Sequence, residues 1–169
     1  MLLFIIAILI LIVLVILFSY NKAFPEALEI ANEMEEVDSN YYFNGDSNVG
    51  FIIFSGAKAD GKAYAYMAKL LHEKGHTVVI PKVLFHMSAT GTNKGMDSME
   101  TNPEIEKWFL IGHSLGGLPI SRIAIQEPVK LQGIAFLASY MIEDLSALDI
   151  SAIRITASND NIMNKNRME

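Results

Sequence analysis

Apolar residues run along this chain in three rhythms. The first is unbroken: Leu2–Phe18 contains no polar side chain. The second is the short apolar block bounded by turn formers, which predicts strands buried on both faces. Val49–Phe54, 77–80, 108–111 and 134–138 have this form, and 152–157 predicts a final strand. The third is helical spacing. Tyr64, Met67, Ala68 and Leu71 stand at i, i+3, i+4 and i+7, with Asp60 placed as N-cap and Gly75 as the stop. Residues 118–126 predict a second helix, 96–99 a short one, and 143–148 a short helix or loop. Tyr41-Tyr42-Phe43 reads as a short strand ended by Asn44-Gly45-Asp46. Strand, helix and strand in succession imply a right-handed crossover and a parallel sheet.

The apolar run at the start is near the lower length limit for a helix crossing a ~30 Å hydrocarbon core. Three readings stand: a membrane anchor, a cleaved signal peptide, or a buried core helix. No Lys or Arg precedes the run, and no clean small-x-small site follows it, which weakens the signal peptide. The expectation is a transmembrane anchor over residues 1–20, single-pass in the cell membrane, with the rest on the extracytoplasmic side. The sparse basic residues do not fix that orientation. Residues 21–38 are rich in acid, with Glu26, Glu29, Glu33, Glu35, Glu36 and Asp38. Pro25 can open a short helix there, with Leu28, Ala31 and Met34 roughly on one side. The preferred reading is a solvated linker leading to one α/β domain over 39–169.

Composition narrows the function. At 169 residues the chain suits one domain plus an appendage. A net charge of −6 argues against nucleic acid as a partner. The absence of cysteine removes disulfides, thiolate metal sites and a cysteine nucleophile. No cofactor and no metal is expected, and oligomeric state stays open.

The stretch that carries chemistry is Gly112-His113-Ser114-Leu115-Gly116-Gly117. It follows the apolar block 108–111 and precedes the helix 118–126. Strand, sharp turn and helix are the context in which G-x-S-x-G forms a nucleophile elbow. The turn strains the serine, so its neighbours two residues away must be small, which Gly112 and Gly116 satisfy. Ser114 would stand clear of the sheet, and the Leu115 N–H would face a developing oxyanion. The plainer alternative is a glycine-rich turn whose serine merely caps a helix. A second motif, His72-Glu73-Lys74-Gly75-His76, matches H-E-x-x-H by letter. Zinc binding needs both histidines on one helical face. Gly75 and the β-branched strand after His76 break that face, so zinc is not expected.

With these residues in place, the chain resembles the α/β-hydrolase superfamily, in particular a small membrane-anchored bacterial branch. The matching positions are Gly56-Ala57-Lys58, Ala63-Tyr64, the 112–117 elbow, Leu137 through Tyr140, and Ser158-Asn159-Asp160, within roughly 41–163. Ser55 stands where that branch often has proline. The resemblance implies a mostly parallel sheet with flanking helices and a serine hydrolase acting on a carboxylic ester or similar small acyl substrate. By position, Ser114 would be the nucleophile, Leu115 and Ala57 the oxyanion donors, and Asp160 the acid that orients a histidine. Asp160 is otherwise a turn residue in Ser-Asn-Asp-Asn.

No histidine follows Asp160, whereas the superfamily order is Ser, Asp, His. The expectation is therefore a truncated hydrolase, lacking its last strand, helix and triad histidine, and impaired in catalysis. A non-catalytic protein that keeps the fold for binding or assembly is the alternative. Of the four histidines, His113 should point away from Ser114 because neighbouring strand residues alternate. His72 and His76 should lie at the far helix end. His86 alone has a place near the catalytic edge of the sheet.

Overall fold

The computed structural model describes residues 1–139 and 141–160. Seven strands form one sheet: β1 (Glu35–Val37), β2 (Asn40–Phe43), β3 (Val49–Phe54), β4 (Thr77–Pro81), β5 (Lys107–His113), β6 (Leu131–Leu137) and β7 (Ser151–Ile155). Their spatial order is β1-β2-β4-β3-β5-β6-β7. Strands β3 to β7 pair in parallel, and β1 and β2 run antiparallel at one edge. The helices are α1 (Leu2–Phe18), α2 (Pro25–Ala31), α3 (Ala65–His72), α4 (Thr92–Glu100) and α5 (Gly117–Gln126).

Side-chain alternation along the central strands feeds two cores. Ile52 and Phe54 of β3, Val79 of β4, and Trp108 and Leu110 of β5 join Ile120 and Ile123 of α5 on one face. Ile53 of β3 and Val78 and Ile80 of β4 meet Ala65 and Ala68 of α3 on the other. Over β5 to β7 that second face carries an open apolar groove of about 290 Å³, lined by Phe51, Phe109, Ile111, Ala135 and Ile153 among others. All five residues of β7 are exposed.

One expectation is corrected. The stretch 21–38, expected as a solvated linker, is folded onto the domain. Ala31 and Met34 are buried in the second core, and Glu35–Val37 adds an edge strand to β2. Its acids turn outward to lysines: Glu33 pairs with Lys69 at 2.8 Å and Glu36 with Lys82 at 2.7 Å. The transmembrane anchor has no support among the described helices. Among the described residues no helix is long and apolar enough to cross a membrane. With 17 residues, α1 rises only about 25 Å at 1.5 Å per residue, against a core of ~30 Å.

The end of α1 is nonetheless built into the domain. Lys58 Nζ donates to the carbonyls of Ile16 and Leu17, each at 2.8 Å. These belong to the last turn, whose carbonyls lack partners within the helix. Phe18 packs edge-on against Phe85, and Tyr20 stacks on His86 at 3.7 Å.

Candidate active site

Strand register brings two loops together at the carboxyl edge of the sheet. Phe54 of β3 pairs with Gly112 of β5, so Ser55-Gly56-Ala57 leaves the sheet beside His113-Ser114. Ser114 is exposed and takes φ = 49°. A non-glycine residue in this left-handed region carries strain of order 1–3 kcal/mol, tolerated where surrounding packing dictates it. That packing is provided by the flanking glycines. A Cβ on Gly112 would lie 2.5 Å from the Gly116 carbonyl oxygen, and one on Gly116 would lie 2.5 Å from the Phe54 carbonyl oxygen. The turn therefore sits directly on the end of β3. From β6, Ser139 Oγ donates to the Ser114 carbonyl at 2.6 Å.

Residues 114–116 form one turn of 3₁₀ helix that runs into α5. The Leu115 N–H opens this helical segment. Ala57 is exposed in the facing loop. Among the described residues neither N–H donates to another group. The Ala57 amide lies between two that are held. The Gly56 N–H donates to Tyr64 Oη at 3.0 Å, and the Lys58 N–H donates to the His86 carbonyl at 2.7 Å. Lys58 itself has φ = 54°.

His113 and Ser114 both border Gly56. A Cβ on Gly56 would meet His113 Nδ1 at 2.9 Å and Ser114 Cβ at 3.5 Å. His113 Nδ1 lies 2.7 Å from Tyr64 Oη. Burial lowers the His113 pKa below its ordinary value, and the charge of Asp160 partly opposes that shift. The structure thus brings Asp160 within electrostatic reach of the histidine beside Ser114. Burial also raises the Tyr64 phenol above its usual value, with the Gly56 hydrogen bond opposing, so its O–H proton stays in place to be donated.

The other histidines are engaged elsewhere. His86 lines a separate pocket of about 330 Å³ with Tyr20, Lys22, Tyr41, Asp60 and Lys62. His72 stacks on Phe43, and His76 Nδ1 lies 2.9 Å from Ser47 Oγ. Helix α3 ends at His72, and Gly75 takes φ = 87° before β4 begins at Thr77. The H-E-x-x-H letters are split between helix and strand. Among the described residues no group of three or more His, Cys, Asp or Glu is placed to hold a metal ion. Nothing among them hydrogen-bonds to Ser114 Oγ. Tyr140, one of the matching positions at the end of β6, lies outside the described residues.

Sequence reasoning set Tyr64 in a helical stripe and missed its place at the site. The hint was Ala63-Tyr64 in the resemblance; the contact itself joins residues 49 positions apart.

A parallel sheet with this turn at its carboxyl edge defines a class of protein. The chain belongs to the alpha/beta hydrolase family, whose sequence pattern matches residues 50–169. It is 30% identical over 99 residues to a pyrethroid hydrolase of Sphingobium wenxiniae, covering 53% of this chain and 35% of that protein. It also resembles a solved structure of the metagenome-derived lipolytic enzymes LipS and LipT, with 20% identity and a TM-score of 0.52, covering 63% of this chain and 48% of that one. Epoxide hydrolase A from Mycobacterium thermoresistibile is similar at 16% identity and TM-score 0.50, covering 62% and 38%. These structural likenesses show the fold. The chain spans about a third of the pyrethroid hydrolase's length, the 35% given above.

Proposed function

We propose that this chain is a serine hydrolase acting on a carboxylic ester. The observation that carries this reading is the exposed Ser114 at φ = 49° between two glycines that the turn requires. Ser114 Oγ attacks the substrate carbonyl carbon. The N–H groups of Leu115 and Ala57 donate to the oxyanion of the tetrahedral intermediate. Its collapse expels the alcohol and leaves an acyl group on Ser114, which water then removes. Asp160 supplies the acid of the site, and the imidazole its charge reaches is that of His113. The relative that is a pyrethroid hydrolase supports hydrolysis as the reaction.

The reading includes impaired turnover. His72, His76 and His86 are engaged away from Ser114, and His113 has its Nδ1 against Tyr64. A serine hydroxyl without an adjacent base is a weak nucleophile at neutral pH. Oxyanion donors and binding alone retain about 10³-fold acceleration over water. Hydrolysis of p-nitrophenyl butyrate is therefore expected only slightly above that floor, and Ser114→Ala, which keeps the donors, is expected to keep the floor while losing the butyryl adduct that mass spectrometry finds on Ser114 of the wild type. Absence of that adduct from the folded wild type would refute the nucleophile. That no described residue hydrogen-bonds to Ser114 Oγ favours a second reading, a binding protein on a hydrolase fold, which predicts no adduct.

We further propose that α1 embeds in lipid, with the domain held at the surface on the extracytoplasmic side. Its side chains are apolar on every face and exposed over residues 3–16, a surface that water does not favour. The full chain is expected to sediment with phospholipid vesicles, and a variant lacking residues 2–16 is expected to stay in the supernatant. Recovery of the full chain in the supernatant would contradict the lipid reading.

A further inference from the structure

The donor role of Ala57 depends on how its loop is held, and the structure offers a specific brace. Tyr64 Oη accepts from the Gly56 N–H at 3.0 Å and lies 2.7 Å from His113 Nδ1. The hydroxyl carries one proton. It cannot pass that proton to Gly56, whose N–H is itself the donor. The Tyr64 proton finds an acceptor here only if His113 Nδ1 is unprotonated, and that is the arrangement we infer. The bonds run in one direction, from Gly56 N–H to Tyr64 Oη and from Tyr64 O–H to His113 Nδ1. A neutral His113 in this arrangement carries its proton on Nε2.

This relay joins three elements at one point: the loop after β3, the 3₁₀ turn Gly61–Tyr64 ahead of α3, and the end of β5. Gly56 is required there, since a Cβ would stand 2.9 Å from the acceptor nitrogen. On the other side of Ala57, the Lys58 N–H is tied to the His86 carbonyl at 2.7 Å and the Lys58 carbonyl accepts from Asn21 at 2.6 Å. With the amides on both sides fixed, the Ala57 N–H between them has a set direction.

We propose that Tyr64 is a positioning residue of this hydrolase site, holding the Ala57 N–H at the oxyanion position through its one-way relay to His113. This rests on the proposed nucleophile, and it adds a regulation of the site. Protonating His113 places a hydrogen on Nδ1 and reverses that bond, so the Tyr64 proton loses its acceptor. The titratable groups bearing on His113 are Asp160, whose charge favours the protonated form, and Tyr64, which is neutral and donates. Acid is therefore expected to reverse the relay's direction, which the nitrogen signal of His113 reads.

The test uses the full chain and Tyr64→Phe, with the exposed Tyr66→Phe on α3 as control. Three readouts are taken: nitrogen NMR of His113, hydrogen exchange of the Gly56 amide, and the rate at which a fluorophosphonate labels Ser114. In the wild type, Nδ1 is expected to resonate as an unprotonated, hydrogen-bonded nitrogen. Tyr64→Phe is expected to shift that signal and to speed Gly56 exchange at least about tenfold. Labelling is expected to slow about 10- to 100-fold, the range for a displaced or lost oxyanion donor. Tyr66→Phe should match the wild type throughout. A proton found on Nδ1 in the neutral wild type overturns the relay without any variant, even if Tyr64→Phe fails to fold. An altered relay with wild-type labelling overturns the positioning role. Failure of the wild type to label sinks the nucleophile and the role built on it, while NMR and exchange still report whether the brace exists.

Discussion

Gly116→Ala is expected to destabilise the protein by about 3 kcal/mol and to remove all reactivity at residue 114, the upper range for forcing a methyl group into close-packed structure. The added Cβ would meet the Phe54 carbonyl oxygen at 2.5 Å and the Ser55 carbonyl oxygen at 3.0 Å. Both are backbone atoms at the end of a central strand, so no side-chain rotation relieves the contact. Either β3 gives up its place beside β5, or the turn lifts and Ser114 leaves its left-handed conformation. Both outcomes separate Leu115 from Ala57. Gly75→Ala is the instructive contrast. Its Cβ would meet nothing within 4 Å, although its φ of 87° favours glycine, so its cost is confined to backbone strain. Urea unfolding of the two variants, followed by circular dichroism, checks the difference. A wild-type midpoint for Gly116→Ala would contradict the packing described.

Trp108→Ala is expected to cost about 3–5 kcal/mol, the range for removing a buried aromatic side chain. Trp108 is fully buried at the base of β5, the strand that ends in the elbow. Its ring fills the space that a Cβ on Gly50 would enter at 2.5 Å, so the sequence has matched a missing side chain on β3 to a large one on β5. The indole Nε1 has no hydrogen-bond partner among the described residues. Trp108→Phe removes that unpaired donor and keeps an aromatic ring, so it is expected to cost well under half as much as alanine, the unpaired group having itself cost about 1–3 kcal/mol. Unfolding midpoints of the two variants provide the measurement. Equal losses would show that the ring's volume is not what holds β5 in place.

The sharp turn at residues 112–116 was legible in the sequence because its geometry permits few residue types. A strand that turns sharply into a helix needs glycine at 112 and 116, whatever the rest of the chain does. The parallel strands were legible for a similar reason: apolar blocks separated by a helical repeat have few ways to bury both faces. The Tyr64–His113 contact was not legible, since it joins residues 49 apart and depends on strand register. Residues 21–38 were misread because their acids dominate the local pattern, while Ala31 and Met34, the anchors to the core, are only two positions. The run at the start was read by its apolarity, and at 17 residues its helix sits at the short end for a span.

The site's physical logic rests on Ser114. Mass spectrometry of the folded, full chain after exposure to a fluorophosphonate tests it most directly. The account predicts a single phosphonyl adduct mapping to Ser114 and its loss in Ser114→Ala. An adduct at another residue, or none on a chain that circular dichroism shows to be folded, would contradict it.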